Sequence, residues 1–245
     1  MVLYNKIVIV TGGTKGIGGN LTLSFAKAGA IVYAIYHKDD QNAKEFKKSI
    51  DKKGLTTNII VKKSSITDFN SFKKLILNIK RTHNKIDILV NNAGVFYNGY
   101  FSMMKIYECD SLIDTNIKGT IYASYIVSRL MIPQKSGIII NISSITAFKN
   151  FKGVAVYSAS KAAITSFSKN LAIELDPLNI KVFCVAPSLA KTEMTKSIQQ
   201  SVINTYKDTE GKLLTLNKIS QKVIDLCTSK YSVLKGETIC IGFNN

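Results

Sequence analysis

Proline is scarce in this 245-residue chain, with three, and so is cysteine, with four; acidic residues number 16 against 33 lysines and arginines. So little proline, beside only 15 glycines, excludes a collagen-like or low-complexity chain. The cysteines (Cys109, Cys184, Cys227 and Cys240) stand far apart. They form no CxxC pair, so neither a zinc knuckle nor a dithiol motif is expected, and scattered thiols suit a cytoplasmic protein. Apolar runs are short, as in Ile7–Val10, and none approaches the roughly 20 residues of a membrane span. The stretch from Met1 to Lys6 lacks the build of a signal peptide.

The deficit of acid leaves a formal charge of +17. Such a charge with low hydrophobicity would mean disorder, but 46% of the residues are hydrophobic and the mean hydropathy is +0.10. The lysines spread along the whole chain in doublets (Lys47-Lys48, Lys52-Lys53, Lys62-Lys63, Lys73-Lys74). There is no basic tail and no interleaving of aromatic with basic residues. No nucleic-acid partner is therefore expected, while an anionic small molecule or an acidic protein surface stays open.

What is present is a regular alternation of short Val/Ile-rich runs with helical patterns. Strands are expected at Lys6–Val10, Ala30–Ile35, Thr57–Lys62, Ile86–Asn91, Gly137–Ile142, Ile180–Ala186 and Thr238–Ile241. Helices are expected at Gly16–Ala28, Asn42–Lys53, Phe69–His83, Tyr107–Met131, Val156–Leu175 and Leu216–Thr228. Continuous apolar strands suit a parallel sheet covered on both faces. The chain therefore reads as one α/β domain over residues 1–245: a doubly wound, Rossmann-like, seven-stranded parallel sheet with helices on both faces. At this size roughly 70–75% of the unfolded surface is buried, and no staples are needed. In such sheets ligands bind beyond the carboxyl ends of the strands.

The motifs fall at those ends. After the first strand comes Thr11-Gly12-Gly13-Thr14-Lys15-Gly16-Ile17-Gly18-Gly19. Glycines let the backbone turn tightly and approach a pyrophosphate, and the next helix offers its N-terminal N–H groups. The spacing Gly12-x-x-x-Gly16-x-Gly18 is neither GxGxxG nor a Walker loop, and alone it also fits a plain strand–helix turn. Tyr157 and Lys161 are i and i+4 and share a helix face. A nearby ammonium is expected to lower the phenol's pKa and make it a general acid or base, although an isolated YxxxK is usually an ordinary surface pair. Ser143 and Ser144 follow the fifth strand, where a hydroxyl can bond a carbonyl oxygen that is gaining charge. There is no GxSxG, and His37 and His83 lie elsewhere, which excludes a serine hydrolase.

Taken together, Thr11-Gly12-x-x-x-Gly16-x-Gly18, Asn91-Asn92-Ala93-Gly94, Asn116, Ser144 and Tyr157-x-x-x-Lys161 resemble the short-chain dehydrogenase/reductase family. The resemblance runs from about Lys6 to Ile241 and selects Ser144 over Ser143. It implies a ketone reductase in which Ser144 binds the oxygen, Tyr157 gives the proton and Lys161 holds the cofactor ribose. Asn116 would distort its helix and hold a relay water. It also implies a nicotinamide cofactor against Gly12, Thr14, Lys15, Gly16, Ile17 and Gly18, with Asn92, Ala93 and Gly94 alongside. Pro187 and Thr192 would lie at the nicotinamide, and Tyr157 and Lys161 at the ribose. Ser188 stands where the family usually has glycine.

The residue that ends the second strand selects the cofactor. A carboxylate there binds the ribose hydroxyls and repels a 2′-phosphate. The position falls on Tyr36, followed by His37 and Lys38, and Lys15 adds a cation in the glycine loop. NADPH is therefore expected over NADH, although Asp39 and Asp40 are close enough for a loop shift to reverse this. Ser65 and Ile66 match the adenine contacts, with Asp68 a further candidate.

The overall form resembles the 3-oxoacyl-carrier-protein reductases, which implies an acyl-thioester substrate and an acyl carrier protein as partner. Leu178 stands where many of those enzymes have an arginine, and the ending from Gly236 to Phe243 departs from theirs. A ketoreductase for a small-molecule, non-thioester substrate is the alternative. A non-catalytic dinucleotide sensor is the alternative of another class, disfavoured because sensing needs no proton donor. The stretch Ser188–Gly211, with Met194, Ile198, Val202, Ile203 and Tyr206, is expected either to line the substrate pocket or to pack a helix. The family also implies a homo-oligomer, a dimer or tetramer, with Ile121, Tyr125, Ala162, Ile164, Phe167 and Leu171 at the seam or against the sheet.

Overall fold

Seven short apolar segments become strands: β1 (Ile7–Thr11), β2 (Ile31–Tyr36), β3 (Ile59–Lys63), β4 (Ile88–Asn91), β5 (Gly137–Ile142), β6 (Ile180–Pro187) and β7 (Thr238–Ile241). The computed structural model describes residues 2–192, 213–228 and 236–243. The strands form one sheet in the order β3-β2-β1-β4-β5-β6-β7, with every pairing parallel. Parallel neighbours need crossovers, and helices supply them: α1 (Gly16–Lys27), α2 (Asp40–Lys52), α3 (Phe69–His83), α4 (Ile106–Ile113), α5 (Thr120–Met131), α6 (Ala155–Leu175) and α7 (Leu216–Cys227).

Side chains alternate across each strand, so one run of valine and isoleucine feeds two cores. Val8 and Val10 of β1 pack with Leu21 and Phe25 of α1 and with Val223 of α7. Ile7 and Ile9 pack on the opposite face, with Phe72 and Ile76 of α3 and Val127 of α5. All five residues of β1 are buried, which explains a strand that is apolar on both sides. Its start is tied down by Asp87, whose carboxylate accepts from the Ile7 N–H at 2.8 Å and pairs with Lys6 at 2.9 Å. Burial pushes the Asp87 pKa up, but the Ile7 N–H and Lys6 outweigh it and hold the carboxyl below its ordinary range.

The expected long helix Tyr107–Met131 is interrupted. Between α4 and α5, residues Asp114–Gly119 form a π-helical turn. The cause is Asn116, whose side chain turns inward to bond the backbone of Val95, 21 residues earlier. Gly119 fits there because Ile66 occupies the space that a side chain would need.

Of the residues considered for an oligomer seam, Ile164 is on the buried side of α6 and Leu171 packs against the core. Ile121, Tyr125 and Ala162 face outward, and Phe167 is half-buried. No described helix is long and apolar enough to cross a membrane.

Candidate active site

In the order β2-β1-β4, the crossovers from β1 and from β4 leave in opposite directions. The crevice this opens at the carboxyl ends of the strands holds a cavity of about 730 Å³. It runs from the end of β2 to α6.

The glycine turn forms its floor. Gly12 (φ +63°) and Gly16 (φ +53°) adopt a conformation that strains any other residue. A side chain on Gly12 would also press against the Ala93 backbone. Two motifs some 80 residues apart are bonded into one unit here. Thr11 Oγ1 accepts from the N–H groups of Asn92 and Ala93, both at 3.0 Å. Asn92 Nδ2 donates to the carbonyls of Thr11 and Gly12, at 3.0 and 3.1 Å. Lys15 precedes α1 in an extended conformation, and no side chain caps that helix. Gly16 and Ile17, in its first turn, line the cavity together with Gly12, Thr14, Lys15, Asn92, Ala93 and Gly94. Gly18 does not. It faces the Gly12 carbonyl and the Asn92 amide, so its part is to let α1 pack against the turn.

At the far end Tyr36, His37, Lys38, Ser65 and Ile66 line the wall. Tyr36 closes β2 opposite Lys63, so a phenol occupies the place of the selecting carboxylate. Its hydroxyl donates to Asp40 at 3.0 Å, and Asp40 pairs with Lys63 at 2.6 Å. Asp39 pairs with Lys15 at 2.9 Å and caps α2 by accepting from the Asn42 N–H. Both nearby carboxylates are thus engaged by lysines, and hydrogen bonds from Lys15 and Lys63 hold their pKa values below the ordinary range. Burial, reinforced by Lys38 and Lys63, lowers the pKa of His37. Asp68 stands off the wall and caps α3 through the Ser71 N–H.

At the other end Ser144, Tyr157 and Lys161 meet. Ser144 follows β5, and Tyr157 and Lys161 lie one turn apart on α6. The Ser144 hydroxyl accepts from the Thr146 N–H at 3.2 Å and stands near enough to the Tyr157 hydroxyl to pull its pKa down. Lys161 Nζ donates to the Ile142 carbonyl at 2.9 Å and lies 5.7 Å from the Tyr157 ring centroid. The expected lowering of the phenol's pKa by this ammonium is not what the protein alone displays. Burial pushes Tyr157 up to about 12, against the pull of the Ser144 hydrogen bond, and brings Lys161 down to about 8. Desolvation disfavours the charged form of each group and is the largest cause at both.

Ser143 points the other way. Its hydroxyl donates to the Lys161 carbonyl at 3.0 Å and meets Thr165 Oγ1 at 2.7 Å, which fastens α6 to β5. Asn116 stands behind the site, 1% exposed. It accepts from the Val95 N–H at 2.8 Å and donates to the Val95 carbonyl and to Ser160 Oγ, both at 3.0 Å. Pro187 and Thr192 line the cavity beyond β6. Ser188, in the unusual position, is buried, and its N–H donates to the Ile241 carbonyl at 2.9 Å. Met194, Ile198, Val202, Ile203 and Tyr206 fall outside the described residues.

Sequence reading missed the apolar wall around Tyr157. Phe96, Phe151 and Val154 line the cavity and form a third, smaller cluster with Tyr157 and Leu112. Phe96 and Val95 directly follow the Asn91–Gly94 motif, a signal that was available. Asp39 was also readable as a helix cap, from its spacing to Asn42.

These residues suit a dinucleotide. The two positive-φ glycines make a cradle that a Cβ would fill, an uncapped helix start faces the cavity, and cations stand at the opposite end from a phenol, an amine and an alcohol. The glycine turn and α1 would hold the phosphates, Tyr36 to Lys38 and Ser65 the adenosine, and Tyr157 and Lys161 the second ribose.

Comparison with known proteins agrees with this geometry. The family model described as short chain dehydrogenase matches residues 6–202. The chain is 32% identical to a 3-oxoacyl-[acyl-carrier-protein] reductase of Aquifex aeolicus, over 97% of this chain and 96% of that one. It is also 32% identical to an acetoacetyl-CoA reductase of Shinella zoogloeoides, over 96% of each. Among solved structures, ElxO with NADP bound superposes with a TM-score of 0.84 at 28% identity, covering 97% of each chain. The structure of gox2181 gives a TM-score of 0.89 at 24% identity, over 98% of this chain and 95% of that one.

Proposed function

Since the chain belongs to the short-chain dehydrogenase/reductase family, whose members act on CH–OH and C=O groups, we propose that it is an NADPH-dependent reductase of 3-oxoacyl thioesters. The observation that carries this reading is the meeting of Ser144, Tyr157 and Lys161 at one end of a cavity whose other end is a glycine cradle. A ketone reduction needs a hydride and a proton. Bound in the cradle, the nicotinamide supplies the hydride.

The residues of the chain supply the rest. Ser144 donates a hydrogen bond to the ketone oxygen, where negative charge develops. Tyr157, neutral because it is buried, gives its phenolic proton to that oxygen as the alcohol forms. Lys161, already brought down to about 8, is poised to pass a proton back toward the phenol. Asn116 fixes the peptide of Val95 beside the cavity and reaches Tyr157 through Ser160, whose hydroxyl donates to the Tyr157 carbonyl at 2.7 Å.

The preference for NADPH is supported by Tyr36 in place of a carboxylate, by the lysine partners of Asp39 and Asp40, and by the NADP bound to the similar protein ElxO. The thioester substrate is supported by the names of the relatives and by the apolar wall of Phe96, Phe151 and Val154, which suits an acyl arm. An acyl carrier protein as donor of that thioester would meet a surface of +17 formal charge. Leu178, exposed at the position where a carrier-binding arginine is expected, favours a free or CoA-linked ketone as the second reading. Outward-facing Ile121, Tyr125 and Ala162 support pairing of α5 and α6 between copies, which light scattering checks.

The deciding experiment follows NADPH oxidation with acetoacetyl-CoA, a carrier-linked 3-oxoacyl thioester and a cyclic diketone, with NADH in parallel. Turnover of the thioesters with NADPH is expected. Turnover of the diketone alone would replace the substrate, and no binding of either dinucleotide would end the proposal.

A further inference from the structure

The phenol of Tyr157 is held between two groups, and only one of them is on its own helix. Lys161 lies one turn away, 5.7 Å from the ring centroid. On another side is Phe96, with ring centroids 4.8 Å apart and planes at 86°. That is the edge-to-face arrangement in which the positive rim of one ring meets the negative face of the other. Phe96 is not a loose loop residue. The preceding peptide, at Val95, is gripped on both its N–H and its C=O by Asn116. Three residues further on, the Gly99 N–H donates to the Gly153 carbonyl at 2.9 Å, which ties this loop to the segment leading into α6.

We propose that Phe96 is a positioning residue for Tyr157: its ring fixes the rotamer of the phenol and keeps water from its face, so that the hydroxyl stays beside Ser144 and remains protonated. This rests on Tyr157 being the proton donor of the proposed reaction. Asn116 thereby reaches Tyr157 by two routes, through Ser160 to the backbone and through Val95 to the ring cover. The other titratable groups about the phenol are Lys161 on α6, with Cys184 of β6 behind it, Tyr97 in the same apolar cluster, and Tyr107, Asp110 and Asp114 along the cavity. None of them is altered by a change at Phe96.

The test uses Phe96→Ala, Phe96→Leu and Phe96→Tyr in the full chain. Carbon-13 labelling of tyrosine Cζ, with the Tyr157 signal assigned by its loss in Tyr157→Phe, reads the phenol without any turnover. In the wild type that signal stays at the neutral-phenol position up to about pH 10, the ordinary tyrosine pKa. In Phe96→Ala it moves toward phenolate over that range, because relieved desolvation lowers the pKa. With acetoacetyl-CoA and NADPH, kcat falls about tenfold, the upper range of an edge-to-face pair, while the NADPH Kd stays within twofold. Phe96→Tyr restores both readouts, and Phe96→Leu keeps the phenol neutral but not the rate. Should Phe96→Ala fail to fold, the contrast between Phe96→Leu and Phe96→Tyr decides. An unchanged Tyr157 titration in Phe96→Ala overturns the inference, even with kcat reduced, because Phe96 would then only shape the pocket. If Tyr157→Phe itself keeps full turnover, the proposed reaction fails, and the labelled phenol still decides what Phe96 does.

Discussion

The ammonium of Lys161 donates to the carbonyl of Ile142 at 2.9 Å rather than to the hydroxyl of Tyr157, whose ring centroid it approaches at 5.7 Å. The lysine is thus anchored to the end of β5, and the tyrosine is left facing Ser144. The two groups share a helix face but meet different residues at the end of β5.

Tyr157→Phe keeps the ring and its packing but removes the proton. Turnover is expected to fall by roughly 10²–10⁴, the usual contribution of a positioned general acid. NADPH affinity is expected to change less than threefold. Steady-state kinetics with acetoacetyl-CoA and a fluorescence titration of NADPH check the two halves, and an active Tyr157→Phe enzyme would remove the phenol from the chemistry.

Adjacent serines should separate cleanly. Ser144→Ala takes away the proposed donor to the ketone oxygen, and kcat should drop by about 10²-fold. Ser143→Ala leaves that donor in place but unfastens α6 from β5, so it should lower the melting temperature while retaining most of kcat. Equal effects of both on kcat would contradict the assignment.

Lys161 makes stability depend on pH in a defined direction. Its folded pKa, about 8, lies below its ordinary 10.5, so the folded state binds this proton less tightly than the unfolded chain does. The stability tied to the neutral amine is present above 10.5 and lost as pH falls through 8. Without cofactor, the melting temperature of wild type relative to Lys161→Met should rise from pH 7.5 to pH 10. A flat difference across that window would show that the amine is not desolvated.

Asp39 competes for Lys15. Asp39→Asn frees the ammonium and removes a charge that would repel a 2′-phosphate, so KM for NADPH should fall about two- to fivefold, in keeping with an exposed pair. KM for NADH should hold steady. Lys15→Met should do the reverse to NADPH alone, and parallel shifts for both dinucleotides would place Lys15 away from the phosphate.

Gly18→Ala should be severe for a residue off the cavity wall. Its methyl would collide with the Gly12 carbonyl and the Asn92 amide, neither of which is a flexible tip. A loss of roughly 1–3 kcal/mol is expected from such overpacking, readable by urea unfolding, together with weaker NADPH binding.

Most strands were legible because they are short, apolar and β-branched, and the central ones are covered on both faces, as in Ile7–Thr11, whereas β3 at the sheet edge ends in exposed Lys62 and Lys63. The site motifs were legible because glycine and the Tyr157/Lys161 spacing impose their geometry locally. The break at Asp114–Gly119 was not, because it is set by a bond from Asn116 to Val95 that local periodicity does not contain. Nor was the protonation of Tyr157, since burial by Phe96 and its neighbours is a property of the assembled chain. The engagement of Lys15 by Asp39 depends in the same way on where α2 begins.

The double grip of Asn116 on Val95 marks a boundary along the chain. Upstream of it, changes disturb the dinucleotide cradle. Downstream, a second tie holds the loop, the Gly99 N–H on the Gly153 carbonyl, and only beyond it, at residues 100–103, is the chain exposed. A protein engineer seeking a new ketone would leave both ties in place and vary cavity-wall positions such as Asn98 and Phe151, with the anchored peptide as the hinge pin of the library.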